Sequence, residues 1–321
     1  MKTFISHQSA LEFWRVQRVL PPDGAQRRCK TALSKNLPAI DEVRLPGLTP
    51  PLHIMLGKAD IRRKRQDMKQ HVFTGKTPVG SFYSVDDTLY VSSPEFCFIQ
   101  MASVLPLVGL IELGYELCGS YSMHTAADPN VSARGFHLRD PLTSKKKLES
   151  FVSRMPGVKG HQTALRALRY ILEGAASPME TKFAMLLTLP YRLGGFGLPK
   201  PELNARIVPK KADLRTAGKE FYICDLFWPD KDVVAEYDSN QYHTGSAHIA
   251  DDSKKRNALK AMGITVITAT TQQVYDSNEF EKVARVIAKC LGKRLVYKNP
   301  GFAAAHKELR SILCIESGWP Q

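Results

Sequence analysis

The sequence predicts a mixed α/β protein of two domains, the second with its elements in the order α-β-β-β-α-β-α. At 321 residues the chain is long enough for two domains, and its 43% of hydrophobic residues supports a buried core. Short strand-like runs of apolar residues are interspersed with longer runs that have helical spacing. The fold class that these observations favour is α/β, of the α+β kind.

The glycine-containing segment 157–160 marks the predicted boundary between the domains. We expect residues 1–160 to form an N-terminal mixed α/β domain and residues 161–292 to form the second domain. Residues 293–321 are a C-terminal tail for which the sequence predicts no element. No internal repeat or low-complexity segment occurs in the chain.

The first domain is organised by a few local signals. A helix-like pattern starts the chain and stops at Pro21-Pro22, and Leu52–Leu56 is typical of a short buried strand. Ser93-Pro94-Glu95 is typical of a helix start, because serine caps, proline fits the first turn and an acid suits the positive helix end. That apolar helix is predicted to end near Leu105, and residues 114–135 are predicted to be loop and strand.

The second domain is predicted to begin with two helices, and Ser177-Pro178-Met179-Glu180 again has the signature of a helix start. Three strands, a helix, a buried strand and a final amphipathic helix follow. Their predicted ranges are His161–Leu172, Ser177–Leu189, Ala205–Val208, Glu220–Trp228, Val233–Asp238, Ala247–Met262, Ile264–Thr270 and Glu279–Leu291.

The chain is strongly basic, with a formal net charge of +14. Such an excess favours polyanionic partners, which are nucleic acid or an acidic membrane surface. The richest basic run lies within residues 58–76 and contains Arg62, Arg63, Lys64, Arg65 and Lys69. Two interpretations of that run are open, a solvated surface or a set of phosphate contacts.

Cysteine usage and hydropathy indicate a cytoplasmic protein without a membrane segment. The six cysteines are scattered without a Cys-X-X-Cys pair, which disfavours zinc ribbons and disulfide frameworks. The first residues lack the sustained apolar core of a signal peptide. The longest apolar stretch, residues 98–114, is broken by polar residues and too short to span a bilayer.

Residues 220–243 contain the acids that point to chemistry. Asp225 interrupts an apolar strand, and Glu236 and Asp238 share one face of the next strand because strand side chains alternate. If the two strands pair across the turn at residues 229–232, three carboxylates crowd together and require a cation. The alternative is that Glu236 and Asp238 belong to a solvated face, and we favour the metal site. For Glu180 a simpler interpretation is open, in which its negative charge only offsets the helix dipole.

The ordered set of these residues resembles the PD-(D/E)XK nuclease superfamily, and within it the very-short-patch-repair (Vsr-like) endonucleases. The likeness covers residues 177–292 and consists of a helix with a glutamate, an aspartate strand, a Glu-X-Asp strand followed by histidine, a basic helix and a buried strand. In this chain the set is Glu180, Asp225, Glu236-Tyr237-Asp238, His243, Asp252–Gly263 and Ile264–Thr268. The resemblance implies a restriction-endonuclease-like three-layer core.

The resemblance also implies a metal site for phosphodiester hydrolysis. Asp225, Glu236 and the Tyr237 carbonyl would bind Mg²⁺ or Mn²⁺, which prefer oxygen ligands, and Glu180 would hold a metal-bound water or a second ion. Asp238 would be a further ligand or orient the water. For His243 the open roles are base, phosphate contact or structural residue.

Two positions depart from the superfamily pattern. Asp238 stands where most members carry a lysine, as it does in the Vsr-like branch, and the branch's helix arginine aligns with Lys255 or, one residue on, with Arg256. Lys255 would stabilise the phosphate or pair with Asp252, one turn earlier on the helix.

A weaker resemblance concerns the first domain. Residues 1–160 resemble the N-terminal part of AbiEi-like phage-defence and toxin–antitoxin proteins, which implies a regulatory or nucleic-acid-binding first domain.

Three functions follow as hypotheses. We expect a divalent-metal-dependent DNA endonuclease, acting in phage defence, a toxin–antitoxin system or DNA repair. The alternatives are a catalytically inactive DNA-binding regulator of the same fold and an RNA-directed nuclease.

Overall fold

A computed structural model describes residues 2–18, 28–29, 33, 45, 47–128, 132, 134–209, 219–239, 246–295 and 301–313. For residues 28–29 and 246–250 only the backbone is described. The chain divides into two compact units, Met1–Ile171 and Leu172–Gln321. Each unit combines helices with a mixed sheet, so the mixed α/β class is confirmed.

The first unit contains a six-stranded sheet with the strand order β2-β5-β6-β1-β3-β4 and a separate hairpin of β7 and β8. Its strands are β1 Thr3–Ile5, β2 Arg28–Cys29, β3 Leu52–Leu56, β4 Met68–Val72, β5 Phe82–Ser84, β6 Leu89–Ser92, β7 Tyr121–Met123 and β8 Phe136–Leu138. Its helices are α1 His7–Val16, α2 Pro94–Met101, α3 Leu107–Cys118, α4 Lys145–Ser153 and α5 His161–Leu168.

The local signals of the first unit predict some elements correctly and miss others. The buried strand Leu52–Leu56 is confirmed, and the Ser93 hydroxyl caps α2 by accepting the Phe96 amide at 3.2 Å. The chain starts with a strand rather than a helix, because the buried Thr3–Ile5 pairs with β6 before the helical spacing begins. Helix α3 continues beyond Gly114, where a loop was predicted.

Tertiary packing explains the error at Gly114. A Cβ at this glycine would lie 2.2 Å from Cδ1 of Ile171, so the bare backbone admits the Ile171 side chain against the helix. Glycine costs a helix about 1 kcal/mol of intrinsic preference. Close packing with a residue far along the chain offsets that cost, and no local pattern reveals it.

The boundary between the units lies at Ile171 and Leu172, not at residues 157–160. Helix α5, which the sequence assigns to the second domain, contacts α3 and α4 of the first unit. Gly160 has a φ of +90°, and a Cβ there would lie 2.7 Å from the backbone carbonyl carbon of Ala102. This glycine therefore allows close backbone packing and is not part of a linker.

The second unit has the predicted order of elements, with two additions. They are α6 Pro178–Thr188, β9 Glu202–Ile207, β10 Tyr222–Trp228, β11 Val233–Asp238, α7 Ser246–Ala261, β12 Thr265–Thr270, α8 Thr271–Tyr275, α9 Ser277–Cys290 and α10 Phe302–Ile312. The short α8 was not predicted. Helix α10 occupies the tail, where no element was predicted.

The four-stranded sheet of the second unit has the order β12-β11-β10-β9. Strands β9, β10 and β11 are antiparallel neighbours, and β12 runs parallel to β11. Helix α7 covers the sheet through Ala258 and Leu259, which pack in one buried cluster with Tyr222, Cys224 and Val234. Because α7 lies against β10 and β11, it brings its basic residues to the acids of those strands.

Candidate functional site

Asp225 and Glu236 lie on neighbouring antiparallel strands. Leu226 is paired with Ala235, so these two acids are the next residues along β10 and β11. The amide of Tyr237 donates a hydrogen bond to Oδ2 of Asp225 at 2.8 Å. The Asp225 carboxylate therefore takes a backbone donor of the next strand as its partner, which fixes its position beside Glu236.

The face of β10 that carries Asp225 is more open than the sequence suggests. Strand alternation is confirmed, since Cys224 and Leu226 are fully buried, but Ile223 on the opposite side is 41% exposed. The exposure of Asp225 lies between these values, so this residue is half-buried. Burial still raises the pKa of Asp225, against the lowering effects of the Tyr237 amide and Lys255.

Glu180 is held near these acids by backbone and side-chain donors. It lies in the first turn of α6, whose capping Ser177 hydroxyl accepts the Glu180 amide at 3.1 Å. Its Oε2 accepts hydrogen bonds from the Ala176 amide and from Nδ2 of Asn204. Burial first, and the Asp225 charge second, raise the pKa of Glu180 to about 7.

Glu236 is bound to a cation of the chain through one oxygen only. Lys255 Nζ donates to Oε2 of Glu236 at 2.8 Å. Oε1 is buried and accepts no hydrogen bond of ordinary geometry from the described residues, although the Cys224 thiol lies beside the carboxylate. Burial and the Asp225 charge raise the pKa of Glu236 to about 7 despite Lys255.

Lys255 pairs with Glu236, whereas the sequence offered Asp252 as its intramolecular partner. Spacing along the helix predicted the Asp252 pair, but β11 presents a more buried carboxylate to the same ammonium group. Burial by itself would lower the pKa of Lys255, and the Glu236 carboxylate outweighs that effect and raises it. The ammonium group thus stays charged next to the acids.

A cleft of about 200 Å³ lies against this ion pair. Its lining includes Glu236 and Asp238 of β11, Lys255 and Arg256 of α7, and Asp252. Asp225 and Glu180 lie outside the lining but act electrostatically on each other, and Asp225 also acts on Glu236. The acidic and basic side chains of the predicted site that the structure describes therefore lie in one region of the second unit.

The remaining predicted site residues have different outcomes. His243 lies outside the described residues. Tyr237 contributes its amide to Asp225 and its hydroxyl contacts Thr271 Oγ1 at 2.9 Å, while a role for its carbonyl as a ligand stays a prediction. The carbonyl of Asp238 accepts the Thr271 hydroxyl at 3.2 Å, which joins β11 to the start of α8.

The acids fit a hard divalent cation only in part. The half-buried carboxylates of Asp225 and Glu236 have raised pKa values, and Oε1 of Glu236 has no partner among the described residues. These two carboxylates are suitable oxygen ligands for such a cation. Among the described residues, however, a group of three ligand atoms within 4.8 Å of one another occurs in the first unit and not here. The role of Glu180 at a metal-bound water or a second ion stays a prediction.

The predicted basic run forms one side of a cavity in the first unit. The cavity has a volume of about 690 Å³, and its lining includes Arg62, Arg63, Lys64, Arg65, Lys69 and Lys159. No carboxylate occurs among the described residues that line it, although Arg65 pairs with the nearby Asp67 at 2.6 Å. The positive side chains are therefore exposed and lie around one concave surface.

The charge of this cavity does not depend on histidine. His71 lines the cavity and stacks on His7 with ring centroids 3.5 Å apart. Burial, followed by the charges of His53, Lys69 and Arg62, lowers the pKa of His71 to about 4. His71 is neutral near pH 7, so the positive charge of the cavity comes from lysine and arginine.

Comparison with known proteins gives relatives without a stated function. No family model matches the chain, and no solved structure matches it. The chain is 28% identical over 137 residues to uncharacterized proteins of Mycobacterium tuberculosis, from strain CDC 1551 / Oshkosh and from strain ATCC 25618 / H37Rv. The aligned part spans 43% of this chain and 46% of each relative. No helix within the described residues is long and apolar enough to cross a membrane.

Sequence reasoning missed two residues of these sites. Asn204 holds Glu180 and has a φ of +46°, a conformation in which asparagine is enriched. Asn204 lies inside β9 but directly before the predicted strand Ala205–Val208, and no local signal marked it. Lys159 reaches the basic cavity from the segment before α5, and nothing in its sequence neighbourhood connects it with Arg62.

The raised pKa values predict an unusual pH dependence of stability. Glu180 and Glu236 titrate near 7 when folded and near 4.5 when unfolded, so the unfolded chain releases these protons first. Their stabilisation is complete below pH 4.5 and is lost as the pH rises to 7. Without divalent cations, the Tm of Glu180→Gln relative to that of the wild type should rise by several degrees between pH 5 and pH 8, since this variant leaves the Glu236–Lys255 pair intact.

Thermal unfolding followed by circular dichroism in a chelator checks this prediction. Buried neutral histidines such as His7 have the opposite pH dependence, so the comparison is made between variant and wild type and not between pH values alone. Glu202→Gln, an exposed change on β9, is the control and should leave the pH profile unaltered. A constant Tm difference at all pH values would contradict the assignment.

Proposed function

We propose that the second unit is a divalent-metal-dependent endonuclease that hydrolyses DNA phosphodiester bonds, of the PD-(D/E)XK superfamily and its Vsr-like branch. The observation that carries this proposal is the pairing of β10 with β11, which places Asp225 beside Glu236. Helix α7 adds the Lys255 cation and α6 adds Glu180, in the order of elements that the resemblance implies. Each of these features also belongs to folds that do not cleave DNA, and the combination supports the proposal.

In this proposal Asp225 and Glu236 hold Mg²⁺ or Mn²⁺. A cation bound there acidifies water and neutralises charge on the reacting phosphate. Lys255 keeps a positive charge at the edge of the cleft, where it pairs with Glu236 in the free protein and with a phosphate oxygen when substrate is bound. Arg256, in the same cleft, provides a second cation for the phosphate.

Glu180 takes the role of a proton acceptor in the same scheme. Burial raises the pKa of Glu180 when no metal is bound, which favours a role as a proton acceptor. Oε2 is occupied by the Ala176 and Asn204 donors, so Oε1 is the oxygen that would receive a proton from water. Asn204 thereby orients the base without contacting the substrate.

The basic cavity of the first unit supports a nucleic-acid partner. Lysine and arginine side chains around one concave surface suit the phosphates of a nucleic-acid backbone. Since His71 stays neutral, binding through this cavity should vary little between pH 6 and pH 8.

Salt dependence tests the role of the cavity. The triple variant Arg62→Ser/Arg63→Ser/Lys69→Ser should reduce the slope of log K against log salt concentration by about one unit for each lost phosphate contact. The matched control is Lys145→Ser/Lys146→Ser/Lys147→Ser, which removes the same charge from α4, outside the cavity. Equal slopes for the two variants would remove the cavity from the nucleic-acid interface.

A catalytically inactive DNA-binding regulator is the second candidate. The Glu236–Lys255 ion pair favours it, because a neutralised glutamate binds metal less readily, and Asp238 stands where most superfamily members carry lysine. An RNA-directed nuclease is the third, since the basic cavity would accept either nucleic acid.

Cleavage assays separate these functions. The purified chain is incubated with supercoiled plasmid and with labelled RNA, each with Mg²⁺, with Mn²⁺ or with a chelator. Nicking of plasmid that requires the metal supports the DNA endonuclease, and cleavage of RNA alone supports the third candidate. Tight DNA binding without cleavage under any metal would overturn the proposal in favour of the regulator.

A further inference from the structure

Three potential metal ligands lie in one hairpin of the first unit, apart from the acidic cluster. His124 directly follows β7, Asp128 lies in the connection and His137 lies in β8. One ligand atom from each of these residues lies within 4.8 Å of the other two. All three side chains come from a short stretch of the chain, as in many structural zinc sites.

The two histidines present unpartnered nitrogens in a buried position. Nε2 of His124 and Nδ1 of His137 are buried and have no hydrogen-bond partner among the residues that the structure describes. A buried polar atom without a partner is costly, and such atoms usually indicate a missing ligand, water or ion. Their rings lie 5.7 Å apart between centroids, so both nitrogens belong to one small volume.

The His137 ring is prepared to bind a cation. Its Nε2 lies 3.4 Å from the carbonyl oxygen of Gln17, which favours the proton on Nε2 and leaves the lone pair on Nδ1. An imidazole with its lone pair on Nδ1 is the form that binds a metal through that nitrogen.

His124 can bind after a small rearrangement. Its Nδ1 accepts the Ser132 amide at 3.3 Å, which places the proton of the neutral ring on Nε2. Binding at Nε2 moves that proton to Nδ1 and ends the Ser132 contact. The contact is longer than a typical N–H···O or N–H···N bond, so its loss costs little.

Asp128 determines which metal suits the group. Its side chain is fully buried, and Arg18 donates to both carboxylate oxygens, at 3.1 and 2.9 Å. A carboxylate oxygen can accept a hydrogen bond and bind a metal ion at the same time, so the Arg18 pair does not exclude a metal. Arg18 offsets the negative charge of the Asp128 carboxylate, and the positive charge of Arg139 acts on His137. The group therefore does not suit Mg²⁺ or Ca²⁺, because these ions depend on anionic oxygens.

We propose that His124, Asp128 and His137 form a binding site for Zn²⁺ or a similar transition-metal ion, with water in the fourth position. Imidazole nitrogens suit such ions, and three protein ligands with one water complete a tetrahedral set. The ion closes the connection between β7 and β8 and satisfies the two buried nitrogens. This site does not depend on the proposed nuclease activity of the second unit.

Cobalt binding by the full chain tests the site. The protein is treated with chelator, titrated with Co²⁺ and followed by visible absorption, whose intensity rises strongly in tetrahedral coordination. We expect about one tetrahedral Co²⁺ per chain. In His124→Gln and in His137→Gln the affinity for Co²⁺ should fall by more than about tenfold. A loss of about tenfold is the effect of removing a residue that only supports a metal ligand, so a larger loss indicates a ligand itself.

Two controls accompany the titration. His161→Gln removes a histidine outside the group, and Asp225→Asn/Glu236→Gln removes the acids of the other candidate site. Both should give the same tetrahedral Co²⁺ signal as the wild type, although the acid variant loses any Co²⁺ that Asp225 and Glu236 bind. Unchanged binding in the His124 and His137 variants, or loss of the tetrahedral signal in the acid variant, would overturn the proposal.

A measurement on the wild-type chain tests the site even if the histidine variants fail to fold. X-ray absorption at the zinc edge of the Zn²⁺-loaded wild type should contain the scattering of two imidazole rings. A spectrum with oxygen neighbours only, or no retained Zn²⁺ after gel filtration, would refute the site. A rise in Tm with Zn²⁺ that is absent in His137→Gln would support it.

Discussion

The variant Asp225→Asn is expected to lose at least about 100-fold of metal-dependent DNA cleavage while its fold is retained. Asparagine keeps the shape of the side chain and its hydrogen bond from the Tyr237 amide, but it removes the negative charge that would hold the cation. It also removes the charge that raises the pKa values of Glu180 and Glu236. The loss of activity should therefore be accompanied by a gain in stability above pH 7.

The combination of these two results makes the experiment specific. Cleavage is measured with Mg²⁺ at several concentrations, and thermal unfolding is measured in a chelator at pH 8. Glu202→Gln, on the neighbouring β9, is a matched change of one exposed acid and should alter neither quantity. Full activity in Asp225→Asn would exclude this carboxylate as a metal ligand.

The second large effect is expected for Lys255→Met. Methionine keeps the length of the apolar stem but leaves the Glu236 carboxylate buried without its cation. Such a loss costs about 1–3 kcal/mol of unfolding free energy, and the pKa of Glu236 should rise further. In the proposed mechanism cleavage falls as well, because the cleft loses a cation that contacts phosphate.

The neighbouring residue is a natural control for Lys255. Lys254 pairs with Asp251 at 3.6 Å, but its side chain is 77% exposed, so Lys254→Met should change stability by less than about 0.5 kcal/mol. In the double variant Lys255→Met/Glu236→Gln most of the lost stability should return, because the buried charge is gone. Denaturant unfolding measures all of these values, and equal effects at Lys254 and Lys255 would contradict the buried ion pair.

Local sequence signals were sufficient for the elements that position the acids. The turn at residues 229–232 occurs as predicted, and the alternation of β10 and β11 then follows from strand geometry. The Ser177 cap fixed the start of α6 and with it the place of Glu180. These features depend on neighbours in the sequence, which is why a single sequence contains them.

Features that depend on distant residues were not predictable in the same way. Helix α7 could pair Lys255 with an acid on its own surface or with one on β11, and only the packed sheet decides between them. Asn204 and Glu180 meet across the fold, as do Arg18 and Asp128, and no spacing rule connects them. The hairpin histidines show the same limitation, because their significance depends on which nitrogens lack partners.

The position of α5 matters for any attempt to study the halves of the chain separately. A fragment that starts at His161 would carry a helix whose Ala164, Ala167 and Leu168 are buried in the first unit. These side chains would be exposed on such a fragment, and the remaining half would lose the cover that α5 gives to α3 and α4. Division after Ile171 avoids both problems, so fragments cut there should resist proteolysis and aggregation better than fragments cut at Gly160.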